Sequence, residues 1–285
     1  MLYRQFETQE AIDLAYDPSK TADGAAAMAR YKAMSAATMA DLTAHTDVRY
    51  GQSLAETLDL FPAKTPGAPL HVFFHGGYWR SLSNKEFSFA ARGLVEAGVS
   101  VAVVNYALCP SVTMGELVRQ CQVSLLWLAD HAADYGYDPG RITVSGHSAG
   151  GHIVGMLLST DWQGLYGRSP SLIKGVTAIS GLFDLAPFPY SWLQPKLQLT
   201  GRDVMTLSPV RIEPRVACPV NLVVGALESD EFHRQSRAYQ VHLSERDTHR
   251  KVSVEAVPDC DHFTVIDGLS NGSGQVFDAI MRHIA

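Results

Sequence analysis

The pentapeptide GHSAG, residues 146–150, lies between two apolar segments of different character. Residues 141–145 (RITVS) predict a short buried strand, whereas residues 151–158 (GHIVGMLL) predict a buried helix. A G-x-S-x-G motif between a strand and a helix is typical of a sharp turn that presents a serine hydroxyl. The glycines two residues before and after Ser148 leave room for so tight a turn. We therefore expect Ser148 to act as a nucleophile.

Most of the chain alternates between strand-like and helix-like segments. An antiparallel hairpin is predicted at 47–51 and 56–61, and further strands are predicted at 69–74, 99–104, 175–180, 219–224 and 252–257. Helices are predicted at about 85–97, 116–133, 232–246 and 274–283. Such alternation indicates a mostly parallel sheet with helices on both faces. Residues 1–285 are therefore expected to form a single α/β domain.

Two segments interrupt this alternation. Residues 1–47 are rich in Ala, Met and charged side chains and predict a helical lead-in, whose packing the sequence does not specify. Residues 182–215 contain prolines and aromatic residues without a regular period. They predict a cap-like excursion between core elements, either a small cap or a wall of the pocket, rather than a separate domain.

Composition narrows the class of protein. The chain has 285 residues, is 46% hydrophobic and carries a formal net charge of -6 without a basic run, so we expect neither a nucleic acid nor a membrane as partner. No apolar segment approaches the roughly 20 residues that span a bilayer. The four cysteines lack C-x-x-C spacing, and the N-terminus lacks the pattern of a signal peptide. These features predict a cytoplasmic protein with reduced thiols; homo-oligomerisation is left open.

A serine nucleophile needs a base and an acid that orients the base. His262 follows the last predicted strand, where the base of such a fold is expected. The acid is expected after the strand that ends near residue 224, and two carboxylates are candidates there. Glu228 lies three residues beyond Gly225, and Asp230 lies two residues further. The spacing favours Glu228, with Asp230 as the alternative acid or as an N-cap of the next helix.

An oxyanion hole requires backbone N–H groups that point at the developing charge. The residue after the nucleophile, Ala149, is one expected donor, and Gly76 and Gly77 at the end of an early strand are the others. The aromatic residues that follow, Tyr78 and Trp79, are candidates for a flat substrate-binding wall. The excursion could extend that wall with Phe183, Phe188 and Trp192. His75 is expected to shape this loop by hydrogen bonding, and His152 to be a satisfied helix residue.

The two motifs HGGYW (75–79) and GHSAGGH (146–152) together resemble the kynurenine formamidase, or arylformamidase, branch of the α/β-hydrolases. Weaker similarities occur at YDPS (16–19), EFHRQS (231–236) and DHF (261–263). In that family the acid is commonly an Asp in a DSPEF context. The aligned residues here read ESDEF (228–232), so the resemblance places Glu228 at the position of the acid.

The resemblance implies an α/β-hydrolase fold and hydrolysis of an N-formyl aryl amide such as N-formylkynurenine. Two other functions are weighed against it. The same residues suit a carboxylesterase that acts on small acyl esters. A catalytically silent hydrolase fold that only binds ligands is a third possibility, which an intact serine, acid and histidine disfavours. A serine mechanism takes nucleophile, base and oxyanion donors from the protein, so we expect a small-molecule substrate and neither metal nor organic cofactor.

Overall fold

A single eight-stranded sheet forms the centre of the computed structural model, which describes residues 1–284. The strands are β1 (His45–Arg49), β2 (Thr57–Phe61), β3 (Ala68–Phe74), β4 (Ser100–Val104), β5 (Tyr137–His147), β6 (Ile173–Ile179), β7 (Val220–Gly225) and β8 (Val252–Val257). Their order across the sheet is β1-β2-β4-β3-β5-β6-β7-β8. The first two strands pair antiparallel, as the predicted hairpin requires, and β3 to β8 are parallel.

The register brings the ends of the central strands to one edge. Phe74 at the end of β3 pairs with Val104 of β4 on one side and with Gly146 of β5 on the other. The loops that leave β3 and β5 therefore begin side by side. Ligands of open α/β sheets bind outside the carboxyl ends of such strands, so this edge is where a site is expected.

Helices cover both faces of the sheet. They are α1 (Gln9–Tyr16), α2 (Gly24–Asp41), α3 (Arg92–Glu96), α4 (Met114–Asp130), α5 (Ala132–Tyr135), α6 (Ala149–Ser159), α7 (Trp162–Tyr166), α8 (Gln194–Leu197), α9 (Gly201–Thr206), α10 (Asp230–Arg246) and α11 (Gly274–Met281). The helix predicted at 85–97 is a 3-10 helix over Asn84–Ala91 that continues into α3. No helix within residues 1–284 is long and apolar enough to cross a membrane.

Alternation along the strands divides the core into two layers. Successive residues of a strand point to opposite faces. In β3, Val72 and Phe74 pack with the helices α4, α6 and α10, whereas Phe73 packs with α2, α3 and α11. This two-layered core over a mostly parallel sheet confirms the predicted α/β-hydrolase fold.

Candidate active site

Ser148 lies at a strained turn between β5 and α6. Its backbone has φ 58° and ψ -116°, a region that non-glycine residues rarely occupy. A Cβ added at Gly146 would lie 2.1 Å from the carbonyl oxygen of Gly150, and one added at Gly150 would lie 2.0 Å from that of Phe74. Only glycine fits at these positions. The Ser148 N–H donates to Ile179 C=O at 2.8 Å, which ties the turn to the end of β6.

The imidazole of His262 is hydrogen-bonded to a buried carboxylate. His262 Nδ1 lies 2.6 Å from Glu228 Oε2, and both side chains are buried. The other oxygen of Glu228 accepts hydrogen bonds from Ser180 Oγ at 2.5 Å and from Gly225 N–H at 2.7 Å. With both oxygens engaged, the carboxylate can hold the His262 tautomer in which Nδ1 carries the proton and Nε2 is a free base.

Asp230 is not placed beside His262. It is exposed at the first position of α10, and within the described residues its side chain makes no hydrogen bond to the imidazole. The predicted N-cap role for Asp230 is wrong, because the N-cap residue is Ser229. The Ser229 hydroxyl donates to Ala15 C=O at 2.5 Å and so ties this turn to residues 1–31, called the N-terminal segment below.

Three backbone N–H groups close to Ser148 in the chain or in space have no acceptor in the part of the protein that the structure describes. Within residues 1–284, the amides of Gly76, Gly77 and Ala149 donate to no protein acceptor. Gly77 has φ 115°, and a Cβ there would lie 2.1 Å from Ser81 C=O, so the loop requires glycine. A Cβ on Gly76 would lie 3.2 Å from Ser148 Cβ. The loop thus passes directly against the serine, with unpaired donors available for a negatively charged oxygen.

His75 fixes the conformation of this loop from the inside. Its Nδ1 lies 2.7 Å from Gly76 C=O, and its ring stacks on that of Tyr106 at 4.2 Å. Tyr106 also donates to His75 C=O at 2.6 Å. Burial lowers the pKa of His75 to about 4, so the imidazole is neutral at physiological pH. This placement agrees with the loop-shaping role expected of His75.

His147 is a site residue that the sequence reasoning missed. Its Nε2 donates to His262 C=O at 2.8 Å, and the two imidazole rings lie 4.7 Å apart. Complete burial holds the pKa of His147 well below its usual value, and the neighbouring His262 lowers it further. The bond joins the nucleophile turn to the loop that carries His262. Its only sequence signal was the position immediately before Ser148.

A cavity of about 300 Å³ opens onto these groups. Ser148, His262, Gly76 and Gly77 lie on its inner wall, together with His147. Its other lining residues are mostly aromatic and apolar and include a contribution from the N-terminal segment: Asp17, Pro18, Ser19, Gly24, Met28, Tyr31, Tyr78, Arg80, Ser81, Leu82, Phe87 and Phe263. None of them comes from residues 182–215. Of the two roles expected of the excursion, that of a wall of this pocket is therefore wrong.

Of the two aromatic residues after Gly77, only Tyr78 reaches the cavity. Both have positive φ, 50° for Tyr78 and 58° for Trp79, so the chain coils tightly and sends the two rings to different sides. Trp79 is fully buried, and its indole N–H donates to Nδ1 of His152 at 3.1 Å. Trp79 is therefore a core residue, and its predicted role in substrate binding is wrong. His152 is satisfied, because its Nε2 lies 2.7 Å from Leu207 C=O.

The three aromatic residues proposed in the excursion also face away from the cavity. Phe188 is fully buried against Trp79, with ring centroids 5.7 Å apart, and Phe183 stacks on Tyr239 at 4.2 Å. Trp192 packs edge-on against the Tyr78 ring at 5.5 Å. The excursion therefore contacts the Tyr78 ring on the side away from the cavity, and none of the three rings lines the cavity.

A buried polar cluster fastens the N-terminal segment over the site. Tyr16 Oη donates to Glu231 Oε2 at 2.5 Å, and Arg234 Nε contacts both oxygens of Glu231 at 3.0 Å. Burial raises the pKa of Glu231, but hydrogen bonds from Arg234 and Tyr16 outweigh it and hold that pKa below the usual value. The Tyr78 hydroxyl donates to Tyr16 C=O. The cluster thus links α10, the N-terminal segment and the Gly76–Gly77 loop.

The sheet order, the strained serine and the histidine–carboxylate pair define an α/β-hydrolase of the serine type. A kynurenine formamidase of Danio rerio is 35% identical over 230 residues, which are 78% of this chain and 76% of the relative, and one of Salmo salar is 33% identical over 243 residues, 83% and 80% of the two chains. The chain belongs to the kynurenine formamidase family. These relatives confirm the resemblance inferred from the two sequence motifs.

Two further comparisons agree with this assignment. The family model BD-FAE matches residues 58–193, which include the Gly76–Gly77 loop and the turn at Ser148. Among solved structures, a putative thioesterase from Silicibacter sp. TM1040 superimposes with a TM-score of 0.83 at 29% identity. That superposition covers 95% of this chain and 98% of the other. The protein is a hydrolase.

Proposed function

We propose that this protein hydrolyses N-formyl amides of aromatic amines, with N-formylkynurenine as the type substrate. The observation that carries the proposal is the His262–Glu228 hydrogen bond of 2.6 Å beside a strained serine, at the base of an aromatic cavity. The relatives named kynurenine formamidase cover the same length of chain. Ser148, His262 and Glu228 are proposed as nucleophile, base and acid.

The first half-reaction forms a formyl enzyme. Ser148 Oγ attacks the formyl carbon while His262 Nε2 accepts the hydroxyl proton. The negative charge on the former carbonyl oxygen is stabilised by the N–H groups of Gly76, Gly77 and Ala149. When the C–N bond breaks, the protonated His262 returns its proton to the amine nitrogen, and the aromatic amine leaves.

The second half-reaction restores the enzyme. Water attacks the formyl ester on Ser148 as His262 accepts one of its protons, and the same amides stabilise the second oxyanion. Collapse of that intermediate breaks the ester bond, returns the proton to Ser148 Oγ and releases formate. Glu228 accepts a hydrogen bond from Nδ1–H throughout and stabilises the imidazolium that forms in each half.

The cavity walls support an aromatic leaving group. The rings of Tyr31, Tyr78, Phe87 and Phe263 line a space of about 300 Å³, which lies at the small end of the range for ligand pockets. Flat aromatic surfaces favour stacked or edge-on contact with an aryl ring. The triad itself is equally suited to small acyl esters, and the superposition on a putative thioesterase keeps ester hydrolysis as the second candidate.

Comparison of two substrates tests the proposal. We expect kcat/KM for N-formylkynurenine to exceed that for p-nitrophenyl acetate by about a hundredfold, or about 2.7 kcal/mol of transition-state stabilisation. Preference for the ester with little cleavage of the formamide would refute the formamidase and leave a carboxylesterase. A fluorophosphonate probe that fails to label Ser148 would refute both and leave a protein that only binds ligands.

A matched pair of variants tests the acid. Glu228→Gln keeps the shape of the side chain but cannot stabilise the imidazolium, so we expect kcat to fall by about 10³-fold or more. Asp230→Asn, an equally conservative change on the exposed first turn of α10, should retain kcat within about twofold. A larger loss for Asp230→Asn than for Glu228→Gln would contradict the assignment.

We also propose a cytoplasmic location. Cys109, Cys121 and Cys218 are buried free thiols, and Cys260 is a half-buried one. Unpaired cysteines fit a reducing compartment better than an oxidising one. Fluorescence microscopy of a tagged full-length chain in cells tests this, and accumulation in a secretory compartment would contradict it.

A further inference from the structure

Apart from the histidines, two residues of the cavity wall carry a formal charge, and their charges are opposite. Asp17 belongs to the N-terminal segment and Arg80 to the loop that begins at His75. Ser148 and His262 are buried, whereas Arg80 is exposed and Asp17 is partly exposed. Asp17 and Arg80 are therefore accessible to water, whereas the reacting groups Ser148 and His262 are not.

Neither charge is fully used by the protein. Within residues 1–284 the guanidinium of Arg80 makes no hydrogen bond or ion pair with another side chain. Asp17 accepts from the backbone N–H of Ser19 at 3.0 Å and from its hydroxyl at 2.6 Å, both at Oδ1. Its Oδ2 has only Lys20 Nζ nearby, at 4.0 Å. One cation and one carboxylate oxygen thus remain available on the cavity wall.

We propose that Asp17 and Arg80 form a subsite for the zwitterionic α-amino acid group of the substrate. The inference rests on the proposed function and names the residues that recognise the amino acid part of its type substrate. Arg80 binds the α-carboxylate through the paired N–H groups of its planar guanidinium. Asp17 binds the α-ammonium, and the aryl ring occupies the aromatic part of the cavity next to Ser148.

The charge pattern selects a zwitterion over a simple ion. A lone arginine would favour any carboxylate, and a lone aspartate any ammonium. Two opposite charges on one wall bind a ligand that carries both charges more tightly than a ligand that carries one. The chain as a whole has a net charge of -6 and therefore gives no long-range attraction to an anion. Because both groups keep their water in the free protein, neither needs a buried partner before the substrate binds.

Four formamides separate the two contacts. They are N-formylkynurenine, its deaminated analogue with only the carboxylate, its decarboxylated analogue with only the ammonium, and ortho-formamidopropiophenone with neither. We expect Arg80→Gln to lower kcat/KM about tenfold for the two carboxylates and less than about twofold for the others. Asp17→Asn should lower it about as much for the two ammonium-bearing substrates alone. Both changes should raise KM more than they lower kcat, since the contacts are remote from the breaking bond.

Two controls keep the result interpretable. Arg49→Gln removes an exposed charge from β1, away from the cavity, and should leave all four substrates unchanged. Arg80→Lys keeps the charge without the paired donors and should recover part of the loss for the carboxylates.

Three outcomes would overturn the subsite. One is an equal loss for all four substrates, which would show a structural role for Asp17 and Arg80. Another is no loss in either variant. The third is a wild-type enzyme that cleaves ortho-formamidopropiophenone as well as N-formylkynurenine; in that case the formamidase stands without the subsite. Failure to cleave any of the four formamides would instead refute the proposed function, and the subsite with it.

Discussion

The N-terminal segment (residues 1–31) and the excursion (residues 182–215) have opposite relations to the cavity. The excursion carries the prolines and aromatic rings that usually indicate a cap, yet none of its residues lines the space above Ser148. The N-terminal segment is polar and alanine-rich, yet it supplies Asp17, Pro18 and Met28 to the wall. Composition therefore did not identify the wall of the site. The polar contacts that anchor each segment account for the difference.

The anchors of the two segments differ in chemistry. Tyr16 of the N-terminal segment is held by the buried charges of Glu231 and Arg234, and its carbonyl oxygen accepts from Tyr78 beside the oxyanion loop. A bond that holds the excursion to α6 is neutral instead: His152 Nε2 donates to Leu207 C=O. The contacts of Tyr16 with Glu231 and Tyr78 hold the N-terminal segment beside the cavity. His152, which also accepts from the Trp79 indole N–H, contacts the excursion on the buried side of Trp79.

The largest effect is expected from removal of the charged anchor. Glu231→Ala leaves Arg234 without its carboxylate and the Tyr16 hydroxyl without its acceptor in a mostly buried place. We expect the free energy of unfolding to fall by about 3 kcal/mol, with loss of activity as the wall loosens. Urea denaturation measures the first effect and kcat/KM the second.

Removal of a charged pair within the excursion should have a milder effect. Arg211 pairs with Asp184 at 3.0 Å, and about a third of its side chain is exposed. Arg211→Ala should therefore cost less than about 1 kcal/mol and leave kcat/KM unchanged. Equal losses of stability and activity in the two variants would remove the distinction between the segments.

A smaller effect is expected from acid, and it concerns the anchor of the excursion. Burial lowers the pKa of His152 to about 4, although the hydrogen bond from Nε2 to Leu207 C=O acts in the opposite direction. The ring is therefore neutral near pH 7, and its Nδ1 accepts from the Trp79 indole N–H. The unfolded chain, with a histidine pKa near 6.5, binds more protons below that pH. The contribution is therefore complete above pH 6.5 and is lost as pH falls toward 4. At pH 5 we expect His152 alone to cost about 2 kcal/mol.

Paired stability measurements at pH 7 and pH 5 test this. His152→Gln should show a smaller loss between the two pH values than the wild type, while His249→Gln, at an exposed position, should keep the wild-type loss. Hydrogen exchange near Leu207 should accelerate in acid before exchange near Tyr16 does. Unchanged pH dependence in His152→Gln would show that other buried groups cause the loss.

Local patterns in the sequence predicted the parts of the molecule whose contacts are local. The strands, the turn at Ser148 and the His75–Gly77 loop follow from residues within a few positions of one another. Glu228 could be chosen over Asp230 because the distance from a strand end fixes the reach of a side chain. Trp79 could not be separated from Tyr78, since the positive φ values that send their rings apart have no signal in the side chains.

The position of the N-terminal segment could not be predicted from local patterns, because its contacts are distant in the sequence. The bond between Tyr16 and Glu231 joins residues 215 positions apart. Nothing near Tyr16 indicates that its hydroxyl meets a carboxylate on α10. Likewise, the prolines of the excursion indicated an irregular segment correctly, but one of the bonds that hold it comes from His152, an interior residue of α6. Both segments are held by long-range polar contacts, which sequence periodicity does not encode.

The smallest effect is expected from one methionine in each segment. Met28 lines the cavity and Met205 is exposed on α9 of the excursion. Met28→Ala removes apolar contact with the aryl ring, which should raise KM about fivefold, or about 1 kcal/mol, with kcat nearly unchanged. Met205→Ala removes the same atoms from a solvent-facing position and should change neither KM nor kcat. Because the two changes are chemically identical, the ratio of the KM values of the two variants measures the effect of a methionine side chain on the cavity wall. A ratio near one would mean that the N-terminal segment covers the cavity without contacting the substrate, and the aromatic rings alone would then have to supply the binding energy.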